Sequence, residues 1–266
     1  MKIKFLIYLF VLILFYPVLS NSQCYTVLSV KGKITLEKTG QPIQEMDEIC
    51  ANDKLVFSSS DSKAAVLSSE QGRFIIKMSG GRKDSDLKAF VKSVLFQGTG
   101  NLSSRGVVSL ETEFEEVYFV TGINKLQVDS YSYPMSQNKF FFIRYKYNGN
   151  EVNKKLKYSN DTLFFDKDEI FKIDGNNINQ DLIETVSLYY YEKDNNTSTK
   201  IASFKLLFAD EAQLKKDLNT YISLLKKLSK EKAYIEEELL LYIIDVYGKI
   251  NIDNTKDWIY KNLDAF

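Results

Sequence analysis

The chain of 266 residues contains no histidine, and this absence removes more chemistry than any residue present supplies. Without imidazole there is no Ser-His-Asp or Cys-His catalysis, no usual zinc site and no histidine pH switch. Cysteine is scarce: Cys24 and Cys50 are the only two. The nucleotide-binding patterns G-x-x-x-x-G-K-[ST] and G-x-G-x-x-G are both missing. An excess of either charge is missing as well, since 35 basic residues face 35 acidic ones. That balance gives no electrostatic case for nucleic acid or an anionic membrane surface. After residue 23 no apolar run reaches the roughly 20 residues that span a bilayer. No catalytic residue, metal, cofactor or nucleic-acid partner is therefore expected, and no transmembrane segment in the mature chain.

What is present begins at the N-terminus. Lys2 and Lys4 precede a 15-residue apolar run over positions 5–19, broken only by Pro17. Ser20-Asn21-Ser22 then places small residues at −3 and −1 of a cut between Ser22 and Gln23. This is the layout of a cleavable secretory signal. An uncleaved N-terminal anchor is the alternative. Gln23 stands where a lipoprotein needs a small residue, which argues against lipidation of Cys24. An exported chain with two cysteines favours a structural Cys24–Cys50 disulfide. A redox-active pair usually wants C-x-x-C spacing, and this spacing is far wider.

Periodicity predicts an α+β protein. Residues 1–22 form the signal peptide, and 23–80 a small N-terminal β barrel or sandwich of short strands. Residues 81–106 form a connector, with a short helix capped by Asp84 or Ser85. Residues 107–208 form a second, antiparallel β domain with three hairpins. The first turns at Asn148-Gly149, a strong hairpin signal. The second flanks Asp166-Lys167-Asp168-Glu169 and the third Asp194-Asn195-Asn196. Residues 209–266 form a helical hairpin plus a short helix. Asp210 caps its first helix, whose stripe is Leu214, Leu218, Tyr221, Leu225 and Leu228. Ser229 is expected to cap the second helix and Gly248 to end it. The pair is expected to pack on the second β zone.

Within the first β zone, Val27-Leu28-Ser29-Val30-Lys31-Gly32-Lys33-Ile34 leads to Gly40, Ile43, Met46-Asp47, Asn52-Asp53-Lys54-Leu55 and Ala64-Ala65-Val66-Leu67. That order resembles the FecR-like β domain, with its opening V-x-G-x-V pair and two later Gly-Asp steps. Met46 and Asn52 replace both of those glycines, and the match covers about 50 residues. The whole chain resembles exported envelope proteins of Bacteroidota-type bacteria. The resemblance implies a compartment more than an activity.

The remaining catalytic candidates are carboxylates. Glu111, Glu113 and Glu115 alternate, which on a strand sets them on one face. A paired-carboxylate glycosidase needs two such groups about 5–10 Å apart; a solvated strand face is the plainer reading. Asp166, Asp168 and Glu169 lack the Gly of a calcium loop, because Ile170 and Phe171 occupy its fifth and sixth positions. S-x-x-K recurs at Ser60, Ser85, Ser136, Ser223 and Ser229 without the K-T-G that such enzymes carry. Tyr131-Ser132-Tyr133 and Tyr189-Tyr190-Tyr191 invite a carbohydrate-stacking or protein-contact role, against a core role for half of each strand. The expected function is that of a non-enzymatic, exported binding or interaction protein, periplasmic, envelope-bound or secreted. Its partner is expected to be a protein or an envelope glycan. The alternatives are a periplasmic sensory component with a membrane partner and a carboxylate-dependent hydrolase.

Overall fold

The computed structural model describes residues 23–68, 72–78, 84–86, 110–114 and 116–263. The signal segment with Ser22, the rest of the 81–106 connector and Glu115 lie outside the described residues, whereas Asp84 and Ser85, expected to cap a connector helix, lie in a strand that pairs with residues 54–56. The fold is α+β, with two β regions and a C-terminal helical layer. No described helix is long and apolar enough to cross a membrane.

The first β region holds β1 (Cys24–Lys31), β2 (Ile34–Leu36), β3 (Glu48–Cys50), β4 (Lys54–Phe57), β5 (Lys63–Ser68), β6 (Gly72–Lys77) and β7 (Asp84–Asp86). They form two antiparallel sheets, β3-β1-β5-β6 and β2-β4-β7, rather than a closed barrel. Val27, Ile49, Val66 and Ile76 of one sheet share a core with Ile34, Leu55 and Phe57 of the other. The Lys31-Gly32-Lys33 turn therefore carries the chain between sheets instead of closing a hairpin. Gly32 sits at φ 76, and a Cβ there would lie 2.5 Å from Ser62 Oγ. Only glycine fits both demands. Cys24 and Cys50 face each other across β1 and β3 and form the disulfide, 26 residues apart in sequence. Closing that loop is worth about 3.5 kcal/mol in the chain-entropy model.

The second β region opens with α1 (Leu110–Glu113), β8 (Val117–Val120) and β9 (Asn124–Gln127). It continues with β10 (Lys139–Tyr147), β11 (Asn150–Lys155), β12 (Lys157–Ser159) and β13 (Thr162–Phe165). Then come α2 (Lys167–Ile170), β14 (Lys172–Ile173), β15 (Asn176–Asn177), β16 (Val186–Glu192) and β17 (Thr197–Phe208). The Asn148-Gly149 hairpin is present, both residues at positive φ, 48 and 80. The β16–β17 hairpin is present too. The middle hairpin is not. β13 pairs with β12 and β9, and Asp166 instead caps one helical turn by accepting from the Asp168 amide at 3.0 Å. The large sheet runs β11-β10-β16-β17-β8-β18, where β18 is Lys249–Ile250. Its β17–β8 and β8–β18 pairs are parallel, so the region is mixed and not purely antiparallel.

The helices are α3 (Glu211–Lys227), α4 (Lys232–Tyr247) and α5 (Ile252–Asn262). Asp210 caps α3 through the Gln213 amide at 3.1 Å, as its spacing predicts. Ser229 does not cap α4. It turns the chain at φ 55, and Glu231 occupies the cap position without a side-chain bond. Contrary to expectation, the helical pair docks mainly on the first β region. Leu28, Ala65 and Leu67 join Leu214, Leu218, Leu239 and Ile243 in one core, which Phe119 of β8 closes from the other side. The helices thus bridge the two β regions.

Candidate functional site

Alternation along β10 sends Phe141, Ile143 and Tyr145 into the core, all at most 2% exposed. The same alternation leaves Phe140, Phe142 and Arg144 on the opposite face. Cross-strand register fixes their neighbours: Phe142 lies between Lys155 of β11 and Tyr189 of β16, and Lys200 of β17 follows Tyr189. Phe140 lies opposite Tyr191. The rings pair as the register requires. Phe142 and Tyr189 stack at 5.1 Å with 9° between planes, and Phe140 meets Tyr191 at 5.2 Å. Arg144 Cζ lies 4.9 Å from the Tyr189 centroid. Lys155 Nζ lies 3.9 Å from the Phe140 centroid and 6.0 Å from that of Tyr158.

An open cleft of about 600 Å³ adjoins this aromatic ladder, lined by Ile123, Lys155, Leu156, Lys157, Tyr158, Phe164 and Asp166. Phe164 turns outward because Leu163 and Phe165, its neighbours on β13, are fully buried. Three of the cations here have carboxylate partners. Arg144 pairs with Glu151 at 3.3 Å, Lys157 with Glu169 at 2.6 Å and Lys139 with Glu192 at 2.5 Å. The Lys157 ammonium holds the Glu169 carboxyl below its ordinary range. Lys155 is exposed and meets rings alone, with no carboxylate within ion-pair distance among the described residues.

The sequence pointed to part of this surface. Of Tyr189-Tyr190-Tyr191, the outer two face out, and Tyr190 is buried with its hydroxyl donating to the Pro134 carbonyl at 2.7 Å. Tyr131 is 95% exposed, while Tyr133 packs on Phe141 and Tyr190, so that pair forms no joint platform. Lys155, Tyr158 and Phe164 escaped notice because whole-chain charge hides a local excess. Between 139 and 159, Lys139, Arg144, Lys146, Lys154, Lys155 and Lys157 face only Glu151. A window of 20 residues would have found it.

The carboxylate candidates fall elsewhere. Glu111 and Glu113 lie in α1 and not on a strand. Glu113 accepts from the Tyr118 hydroxyl at 3.2 Å, and that hydroxyl accepts from Asn124 at 2.7 Å. Burial raises the Glu113 carboxyl above its usual range, against the pull of Lys249. No group of three or more His, Cys, Asp or Glu residues that could hold a metal ion occurs among the described residues.

Two further charged clusters sit where the helices meet the first β region. Arg73 of β6 is 6% exposed and reaches Asp245 at 2.5 Å and Glu238 at 3.4 Å, both on α4. Glu238 also accepts from the Tyr221 hydroxyl at 2.8 Å. Asp217 of α3, 5% exposed, accepts from Gln213 at 2.6 Å and from the Tyr247 hydroxyl at 3.1 Å. Burial raises its pKa, and burial followed by the charge of Asp217 raises that of Glu45 opposite. These clusters are filled by the chain itself. Compared with known proteins, the sequence matches no family model and no curated relative.

Proposed function

We propose that the protein is an exported, non-enzymatic binding protein of the cell envelope. It engages its partner through the outer face of β11-β10-β16 and the adjoining cleft. One observation carries this reading: Lys155, Tyr158 and Phe164 line an open cleft beside stacked rings, and the Lys155 ammonium has rings and, among the described residues, no carboxylate in ion-pair reach. Half-exposed aromatic surface with a free cation gains contact area and charge pairing only when something covers it. The disulfide agrees with an oxidising compartment. The test is retention of purified secreted protein by washed cell-envelope material. Wild type is expected to be retained and the Tyr158→Ala/Phe164→Ala variant released. Equal retention of both, with both folded, would move the binding face elsewhere. N-terminal sequencing should find Gln23 first.

A second reading, a periplasmic sensory component acting with a membrane partner, draws support from the FecR-like pattern. Its two Gly-Asp steps fall on Met46-Asp47 and Asn52-Asp53. Asp47 accepts from the Gln44 amide at 2.7 Å and Asp53 from the Cys50 amide at 2.8 Å. Both aspartates thus close the same kind of four-residue turn, each accepting from the amide three residues back. Met46 lies at φ 68, where glycine is favoured. Co-fractionation with one inner-membrane protein, lost on deleting residues 23–80, would favour this reading over the first.

A further inference from the structure

We propose that the cleft takes an acidic glycan, a polymer carrying carboxylates on pyranose rings; this rests on the binding reading of the same face. Its apolar lining comes from Ile123, Leu156, Tyr158 and Phe164. Flat rings at an open surface suit the C–H faces of a sugar, and about 600 Å³ holds a short stretch of chain. Openness to solvent suits a polymer that enters and leaves at both ends.

Charge then selects the class. Lys157 is matched by Glu169, and Asp166 keeps its charge at the cleft wall while its Oδ1 accepts from the Asp168 amide. Lys155 is left as the cation that gains a partner from a ligand. A neutral sugar would offer the ammonium over Phe140 and Tyr158 only hydroxyl acceptors and no opposite charge. A carboxylate on a ring stacked at Tyr158 forms a charge-assisted hydrogen bond, about twice as strong as a neutral one. A single-stranded nucleic acid also stacks on aromatics but brings one phosphate per base and relies on a broad field of free cations. Here Arg144, Lys139 and Lys157 are already paired with Glu151, Glu192 and Glu169. Of the two lysines lining the cleft, only Lys155 lacks a carboxylate partner among the described residues, and that one charge among several rings fits the sparser charge of an acidic polysaccharide.

The test is calorimetric titration of the full secreted protein with oligogalacturonides, alginate and chondroitin sulphate oligomers. Controls are methyl-esterified galacturonides, cello-oligosaccharides and oligothymidylate. At least one acidic glycan is expected to bind about tenfold tighter than its neutral counterpart, which is one charge-assisted bond on the affinity scale. Lys155→Gln, an exposed substitution, should erase that preference without moving the melting midpoint. Phe164→Ala should weaken acidic and neutral forms alike. Equal binding of acidic and esterified forms, lost in Phe164→Ala, would overturn the acidic class and leave the binding face standing. Tighter binding of oligothymidylate, or no binding to any acidic glycan, would overturn the proposal. Envelope retention of wild type but not Tyr158→Ala/Phe164→Ala would still show that the face binds something else.

Discussion

Arg73 and Lys155 are both cations on β-strands, in two sheets of one chain. Arg73 is 6% exposed, pairs with Asp245 and Glu238, and Tyr221 shares the Glu238 carboxylate. Lys155 stands in solvent over Phe140 and Tyr158, with no carboxylate in reach among the described residues. The first arrangement answers every charge from within the molecule, as a buried arginine requires. The second leaves a charge and several ring faces open. The difference separates a joint that holds the protein together from a surface whose charge is left to solvent.

The largest test of that contrast is Arg73→Leu. It strands two carboxylates at the joint, and breaking a buried pair costs roughly 3–5 kcal/mol. Asp245 is 43% exposed and rehydrates readily, so the expected loss is nearer about 2–3 kcal/mol. A urea midpoint that barely moves would mean that the joint is carried by Leu28, Leu67 and the helix stripe alone.

A smaller effect concerns Asp217 and its neighbour Glu45, whose pKa values are both raised by burial. A carboxyl raised in the folded state binds its proton more tightly there than in the unfolded chain. Its contribution is fully present below the unfolded value, about 4, and is lost as pH climbs through the folded value. Lys216, Gln213 and Tyr247 oppose the shift at Asp217 and do not cancel it. Asp217→Asn keeps a neutral side chain at all pH. Its stability should therefore fall less than that of wild type between pH 4 and pH 7. Denaturant midpoints measured at the two pH values decide this, and parallel falls would mean that Asp217 ionises freely.

The smallest stability effect belongs to the open surface. Lys155→Gln should change unfolding free energy by less than about 0.5 kcal/mol, the range for an exposed site without structural partners. A larger loss would make the Lys155–Phe140 contact a structural clamp and erase the contrast with Arg73.

Much of this was legible beforehand, and the failures have physical causes. Asn148-Gly149 specified its hairpin because few other residues accept positive φ at both turn positions. The α3 stripe of Leu214, Leu218, Tyr221 and Leu225 was readable because one face is fully buried. The hairpin expected around residues 166–169 failed because Asp166 bonds locally and starts a helical turn. The parallel β8 pairs were invisible because their partners lie far along the chain. The docking side of the helices had a missed signal. Ala64-Ala65-Val66-Leu67 is apolar without alternation, the mark of a strand covered on both faces. At the proposed binding face, aromatic alternation was readable on β10, whereas Lys155 and Phe164 line one cleft only through the packing of two sheets.

The position of β8 between β17 and β18 governs when the molecule can be finished. Tyr118 pairs with Leu206 on one side and Lys249 on the other, so it waits for nearly the whole chain to be made. Synthesis proceeds from the N-terminus, and non-local pairings form late. Cys50 arrives only 26 residues after Cys24, so the first β region can be locked early. Its Leu28 and Leu67 are covered only once α3 and α4 exist. In a half-made chain Leu28 and Leu67 thus stay uncovered until both helices have emerged.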